Sequence, residues 1–445
     1  MHIKQFYDTS LAHASYALVS NHEAVLIDPA RDPEPYLAFL RENHAKLIGI
    51  IETHPHADFV SSHLELHQRT GAPIYTSKLV GADYPHHNFD DGDSFKVGHQ
   101  TLGAINTPGH SPDSICVLLA DGNGKDLALF TGDTLFVGDV GRPDLREHVG
   151  NMQAKADELA RAMYHSLRDK IVPLADDVVV YPAHGPGSLC GRSMRNELQS
   201  TIGKERQENP ALQIKDEKTF IQLLTADQPF IPKYFVHDVA LNRLGAAPLA
   251  DNLAHIIQLD EAVLADEHVL LIDARPAEAF KAGHQEHAIN IPDGQKFETW
   301  LGSIIAPGES FYLIVGKVED APHLLHKIAK IGYETNCKGY IEAPANGQKN
   351  PLLDLPFFNQ HQDNFTIIDL RNGSELKEGK LFKEALSIPL HRLRESVHLI
   401  PEEKPIVVHC AGGYRSAIGS SILASHIHVP VYDLGTAVEE FDMRY

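Results

Sequence analysis

The second half of this chain repeats itself. Leu271-Ile272-Asp273-Ala274-Arg275 returns 96 residues later as Ile367-Ile368-Asp369-Leu370-Arg371. Ala288-Ile289-Asn290-Ile291-Pro292 matches Ala385-Leu386-Ser387-Ile388-Pro389 at an offset of 97, and Phe311-Tyr312-Leu313-Ile314-Val315 matches Pro405-Ile406-Val407-Val408-His409 at 94. A spacing held through three separate blocks marks a duplicated small domain. Each copy reads as short β-rich runs alternating with helical stretches, the pattern of a parallel sheet covered by helices. The Pro/Asn/Gly-rich stretch Pro344 to Pro351 separates the copies, and Gly245-Ala246-Ala247-Pro248 closes whatever precedes them. Three domains are therefore expected, near 1–247, 248–347 and 350–445, which suits a chain of 445 residues.

Composition narrows the function classes. Hydrophobic residues make up 43% and charged residues 22%, so each domain can bury a core and general disorder is excluded. A net charge of −21 repels phosphate backbones and anionic membrane surfaces, so neither nucleic acid nor a membrane is an expected partner. Four cysteines without regular spacing fit reduced thiols, and Met1 to Asp8 offers no apolar h-region; the expected compartment is the cytoplasm.

The first segment also reads as α/β, with strands such as Ala24-Val25-Leu26-Ile27-Asp28 and Ile48-Gly49-Ile50-Ile51 and a helical stretch from Pro33 to Glu42. Several strands run directly into His or Asp: toward His54, His110, Asp133 and His184. Strand ends feeding loops are where α/β sheets assemble sites. Thr53-His54-Pro55-His56-Ala57-Asp58-Phe59 packs two imidazoles and a carboxylate into five residues, a donor set matched to borderline metal ions.

With His110, Asp133 and His184, this motif resembles that of the metallo-β-lactamase superfamily, H-x-H-x-D-H followed by distant His, Asp and His. The resemblance covers about the first 240 residues and implies an αββα sandwich with metal at one edge of the two sheets. Where dinuclear hydrolases of the superfamily carry a second-site histidine, this chain has Phe59, which cannot ligate a metal. The chain most resembles the mononuclear persulfide dioxygenases, and the metal ligands implied by that resemblance are His54, His110 and Asp133. Two neutral imidazoles and one carboxylate leave up to three positions open, as in non-haem Fe(II) oxygenases, room for a substrate thiolate and O₂ together. His56, Asp58 and His184 are then expected to orient ligands or waters, or to act as plain scaffolding.

Two further residues near this motif carry expectations. Arg142, in Gly141-Arg142-Pro143-Asp144, sits where persulfide dioxygenases use an Arg to hold the carboxylate of glutathione; a surface salt bridge is the alternative. Cys190 lies between glycines and beside Arg192, a setting able to expose it and favour thiolate for sulfur relay, whereas a small buried thiol is the ordinary outcome.

The last copy contains Val407-Val408-His409-Cys410-Ala411-Gly412-Gly413-Tyr414-Arg415-Ser416, a strand entering a glycine-bearing loop, then a helical stretch from Ala417 to Ser425. Such a loop can aim backbone N–H groups at a thiolate, which places Cys410 as a nucleophile with Arg415 beside it. With Asp369-x-Arg371 the copy resembles a rhodanese sulfurtransferase. Cys410 and Arg415 enclose four residues, one fewer than the C-x₅-R phosphatase loop, and a smaller cradle suits sulfur. Aligning the copies sets Gly316 opposite Cys410 and Ala321 opposite Arg415, so the middle copy lacks a nucleophile and is expected to be a spacer or docking platform; Cys337 is read as packing.

The whole resembles bacterial fusions of a persulfide dioxygenase with an inactive and an active rhodanese copy. What that implies is oxidation of a thiol persulfide (glutathione, coenzyme A or similar) by O₂ to sulfite, with one Fe(II) per chain, and sulfane-sulfur transfer among sulfite, thiosulfate and thiols. A homo-oligomer is also expected. The rival readings are a glyoxalase-II-like thioesterase using metal-bound hydroxide, against which Phe59 argues, and a sulfur-responsive scaffold without turnover.

Overall fold

The computed structural model describes residues 1–146, 155–262, 269–344, 347–377 and 379–441. The chain divides into two compact units, Met1–Asp251 with Ala329–Gly332, and Asn252–Ile328 with Tyr333–Tyr445. Among the described residues no helix is long and apolar enough to cross a membrane.

The first unit holds two six-stranded sheets. One runs β1 (His2–Asp8), β2 (His13–Ser20), β3 (Glu23–Ile27), β4 (Lys46–Ile51), β5 (Ile74–Thr76), β6 (His87–Asn88). The other contains β7 (Ser94–Val97), β8 (Gln100–Asn106), β9 (Ile115–Ala120), β10 (Asp126–Gly132), β11 (Val179–Pro182) and β12 (Ser200–Thr201). Period-2 alternation sorts their side chains into layers. Tyr16, Leu18, Val25 and Ile27 meet Val117, Leu119, Ala128 and Phe130 in a core between the sheets. Ala17, Ala24, Leu26 and Ile50 face the other way, onto Tyr36, Phe39 and Leu40 of the helix Glu34–Glu42 and Leu66 of His63–Thr70. Cys116, Leu129 and Val180 pack outward on Ala160 and Met163 of the helix Ala156–His165. Both faces of each sheet are thus covered, which explains why the strands read as near-continuous apolar runs and gives the αββα layering.

The second unit contains two four-stranded parallel sheets of the same order. The first is β14 (Ile289–Asn290), β13 (Leu270–Asp273), β15 (Phe311–Val315), β16 (Cys337–Glu342). The second is β18 (Leu386–Ser387), β17 (Thr366–Asp369), β19 (Ile406–His409), β20 (Val431–Asp433). The duplicated Asp-x-Arg is repeated in detail. Arg275 Nε and Nη2 donate to Asp273 at 2.6–3.1 Å, and Arg371 does the same to Asp369 at 2.8–3.1 Å.

Strand register corrects the alignment of the active loop. Asp273 pairs with Ile314, and Asp369 with His409, so the residue equivalent to Cys410 is Val315 rather than Gly316, and Asp320 rather than Ala321 stands at the place of Arg415. The copies differ by one residue in the approach to this strand, because Phe311 pairs as Ile406 does and not as Pro405. The conclusion that the middle copy lacks the thiol is unchanged: the fully buried, apolar Val315 takes its place.

Candidate metal centre and thiol loop

Four of the motif segments follow strand ends. β4 delivers His54, β8 His110, β10 Asp133 and β11 His184. Side-chain donors of His54, His110 and Asp133 lie within 4.8 Å of one another, all buried. Asp133 Oδ2 is 3.8 Å from His54 Nε2 and 3.4 Å from His110 Nε2.

The opposite ring nitrogens are tied off by protein. His110 Nδ1 lies 2.9 Å from the Arg142 carbonyl, which can only accept, so the ring proton sits on Nδ1 and Nε2 keeps its lone pair. Thr53 Oγ1 donates to Asp28 Oδ2 at 2.8 Å and lies 3.1 Å from His54 Nδ1, ready to accept from it, which frees Nε2 of His54 in the same way. Burial first, then the neighbouring His56, push His54 well below the usual imidazole pKa, so it is a neutral donor.

Asp133 is anchored from behind. His184 Nδ1 donates to Asp133 Oδ1 at 2.7 Å, while His184 Nε2 lies 2.7 Å from Asp58 Oδ2. Burial works against charge on His184, but the two carboxylates flanking it prevail and hold it well above the ordinary imidazole value. Burial likewise opposes ionisation of Asp133, yet His184 and His110 keep it well below the carboxylate range. Asp133 Oδ2 accepts no hydrogen bond and is fully buried. A buried anionic oxygen without a hydrogen-bond donor, facing Nε2 of His54 and of His110, is the environment a divalent cation satisfies.

The remaining motif residues stand outside that group. His56 turns toward Asp28, with Nε2 3.2 Å from Asp28 Oδ1, in a separate buried cluster with Glu52. Phe59 is 1% exposed; its ring centre lies 3.7 Å from that of His13 and 4.4 Å from that of His56. The motif position expected for a second-site histidine thus holds an apolar ring packed between two histidines.

Two expectations need correction. Cys190 is 1% exposed, and burial, reinforced by Asp58 and Asp133, pushes its thiol well above the ordinary value, so it is not a thiolate. Its flanking glycine serves close packing: a Cβ on Gly191 would stand 2.5 Å from Met194 Cε and 3.1 Å from Asp139 Oδ2. Arg142 is neither a surface salt bridge nor an available clamp. Its side chain is 1% exposed, with Nε and Nη2 on Asp144 at 2.7 and 2.6 Å, Nη1 on the Leu189 carbonyl at 3.1 Å and Nη2 on the Pro229 carbonyl at 2.7 Å. The bidentate face a substrate carboxylate needs is taken by Asp144.

Sequence reasoning passed over Asp28, Thr53 and His13. Asp28 had a signal, since it ends a quoted strand, and it sits at a left-handed φ of 50° that a non-glycine rarely adopts. Its carboxylate accepts from Thr53 N at 2.7 Å and from Thr53 Oγ1. His13 opens β2 and reaches this site only through the fold.

In the second unit β19 ends at His409 and the next residue is Cys410, 1% exposed. Gly413 N donates to Cys410 Sγ at 3.1 Å. Gly413 has φ of 93°, and a Cβ there would stand 3.1 Å from the backbone of Gly435 and Thr436, so both conformation and room require glycine. The helix begins at Tyr414, earlier than the Ala417 expected, which puts Arg415 in its first turn. Arg415 binds Glu375 bidentately at 2.6 and 2.7 Å.

Comparison with known proteins agrees with this architecture. The metallo-beta-lactamase superfamily profile matches residues 9–184. Human "Persulfide dioxygenase ETHE1, mitochondrial" is 32% identical over 206 residues, 46% of this chain and 72% of that protein. "Hydroxyacylglutathione hydrolase" of Francisella philomiragia is 33% identical over 191 residues, 41% of this chain and 68% of that one. The crystal structure of a metallo-beta-lactamase from Staphylococcus aureus subsp. aureus COL superposes with a TM-score of 0.69 at 32% identity, covering 77% of this chain and 99% of that one. With its sandwich, its strand-end donors and relatives of this similarity, the chain belongs to the metallo-β-lactamase superfamily.

Proposed function

We propose that the first unit oxidises a low-molecular-weight thiol persulfide with O₂, through one Fe(II) per chain held by His54, His110 and Asp133. Written for glutathione, the reaction is GSSH + O₂ + H₂O → GSH + HSO₃⁻ + H⁺. The observation that carries the reading is the donor set. Two imidazoles and one carboxylate converge, and Phe59, at the motif position where dinuclear hydrolases carry a histidine, stands between His13 and His56. Bound there, ferrous iron supplies the redox chemistry that lets O₂ react with a sulfur ligand. The protein's own share is positional. The Arg142 carbonyl and Thr53 fix the two rings, His184 and Asp58 hold Asp133, and Arg142 pins the loop bearing that carbonyl through Asp144, Leu189 and Pro229. Similarity to the persulfide dioxygenases supports the substrate class.

The second unit is assigned sulfane-sulfur transfer at Cys410: Cys–S⁻ + S₂O₃²⁻ → Cys–S–S⁻ + SO₃²⁻, or its reverse. Support comes from the strand–loop–helix setting, the Gly413 N–H on the sulfur and the nearby guanidinium of Arg415. The middle copy, with Val315 in that place, has no such chemistry.

Thioester hydrolysis is the second reading, favoured by the similarity to hydroxyacylglutathione hydrolases. Aerobic assay of the full chain with glutathione persulfide separates them. Stoichiometric O₂ uptake and sulfite formation are expected; cleavage of S-lactoylglutathione without O₂ uptake would overturn the proposal. His54→Ala should abolish O₂ uptake and leave thiosulfate:cyanide transfer, and Cys410→Ser the reverse.

A further inference from the structure

The copy without a loop cysteine is bonded to the helix that opens at the cysteine loop. Tyr414 Oη donates to the Pro292 carbonyl at 2.7 Å, and Asn290 N donates to Ser421 Oγ at 2.9 Å. Asn290 ends β14 and Pro292 lies in the turn after it, at the edge of the sheet where Val315 replaces the nucleophile. Two ion pairs extend the junction, Lys281–Asp433 at 2.8 Å and Arg394–Glu309 at 2.8 Å.

Tyr414 occupies a sensitive place. On one side is Gly413, whose N–H reaches Cys410 Sγ; on the other is Arg415, held by Glu375. Gly412, at the tip of the loop, is exposed, and a Cβ on it would meet nothing within 4 Å. Burial raises the Tyr414 phenol well above its ordinary value, so the hydroxyl keeps the proton it donates.

We propose that Tyr414 is a positioning residue for Cys410: its hydroxyl, bound to the Pro292 carbonyl of the copy that lost its own thiol, fixes the turn that aims the Gly413 N–H at the sulfur. The degenerate copy is then a clamp on the active loop. This inference rests on the sulfur-transfer reading for its consequence and on the hydrogen bonds alone for its geometry.

The test uses the full chain with Tyr414→Phe, which keeps the ring and removes the hydroxyl. Loss of one neutral hydrogen bond is worth about a fivefold change. Thiosulfate:cyanide kcat should fall by that factor with KM unchanged, and iodoacetamide alkylation of Cys410, followed by mass spectrometry of its peptide, should slow in parallel. Ser421→Ala, which removes the second tie, should shift both in the same direction. Wild-type rates in both assays, or a raised KM at constant kcat, would overturn the proposal. If unaltered protein transfers no sulfur at all, the sulfurtransferase reading fails, and the alkylation comparison still decides whether Tyr414 positions Cys410.

Discussion

His110 Nδ1 and the main-chain oxygen of Arg142 lie 2.9 Å apart, and that hydrogen bond decides which nitrogen of the ring is left for a metal. The Arg142 side chain holds the carbonyl in place by bridging Asp144, Leu189 and Pro229. Lysine gathers its donors on one nitrogen and cannot span those partners as the guanidinium's three nitrogens do. Arg142→Lys should therefore weaken Fe(II) binding about tenfold to a hundredfold, as loss of such support usually does, measured by anaerobic titration against a competing chelator. Normal iron affinity with a raised KM for persulfide would point back to a substrate-binding Arg.

Thr53→Val keeps the shape of the side chain but strips the donor from Asp28 and the acceptor from His54. With both partners buried, the cost to metal-free stability should be about 1–3 kcal/mol, and iron affinity should fall as well. Urea melts of the metal-free variant check the first part and chelator titration the second; no change in either would refute the tautomer assignment.

Phe59→His replaces the apolar ring between His13 and His56 with a potential metal ligand. Zinc bound per chain should rise above one, read by elemental analysis after metal reconstitution. A stoichiometry still limited to one would show that Phe59 is not what keeps the second site closed.

Glu375 gives a pH signature. Burial tends to raise its carboxyl, but hydrogen bonds from Arg415 prevail and hold it below the ordinary value. A depressed folded pKa contributes stability that is present above the unfolded value and lost as pH falls through the folded one. The gap in urea midpoint between wild type and Glu375→Gln should be widest near pH 7 and should close below about pH 4. A gap independent of pH would remove the ion pair from the account.

Much of this was legible in the chain because chemistry-bearing residues follow strand ends: Asp133 directly after β10, His184 two residues after β11. The α/β alternation was legible from strand-like and helical stretches, the αββα layering only through the family resemblance, and the duplication from Asp-x-Arg. Three things were not. The ring tie-offs depend on a main-chain carbonyl at Arg142, and backbone acceptors carry no side-chain signature. The glycine beside Cys190 suggested exposure, whereas the fold uses it to let Met194 and Asp139 approach. The equivalence of Val315 with Cys410 is set by pairing with β13 and β17, which local similarity between Phe311 and Pro405 obscured.

Metal analysis of the anaerobically purified chain, paired with O₂ consumption on adding glutathione persulfide, tests the central claim most directly. The expected result is one Fe per chain, lost in His110→Ala, and one O₂ consumed for each sulfite formed. Two zinc ions per chain and thioester cleavage without O₂ uptake would contradict it.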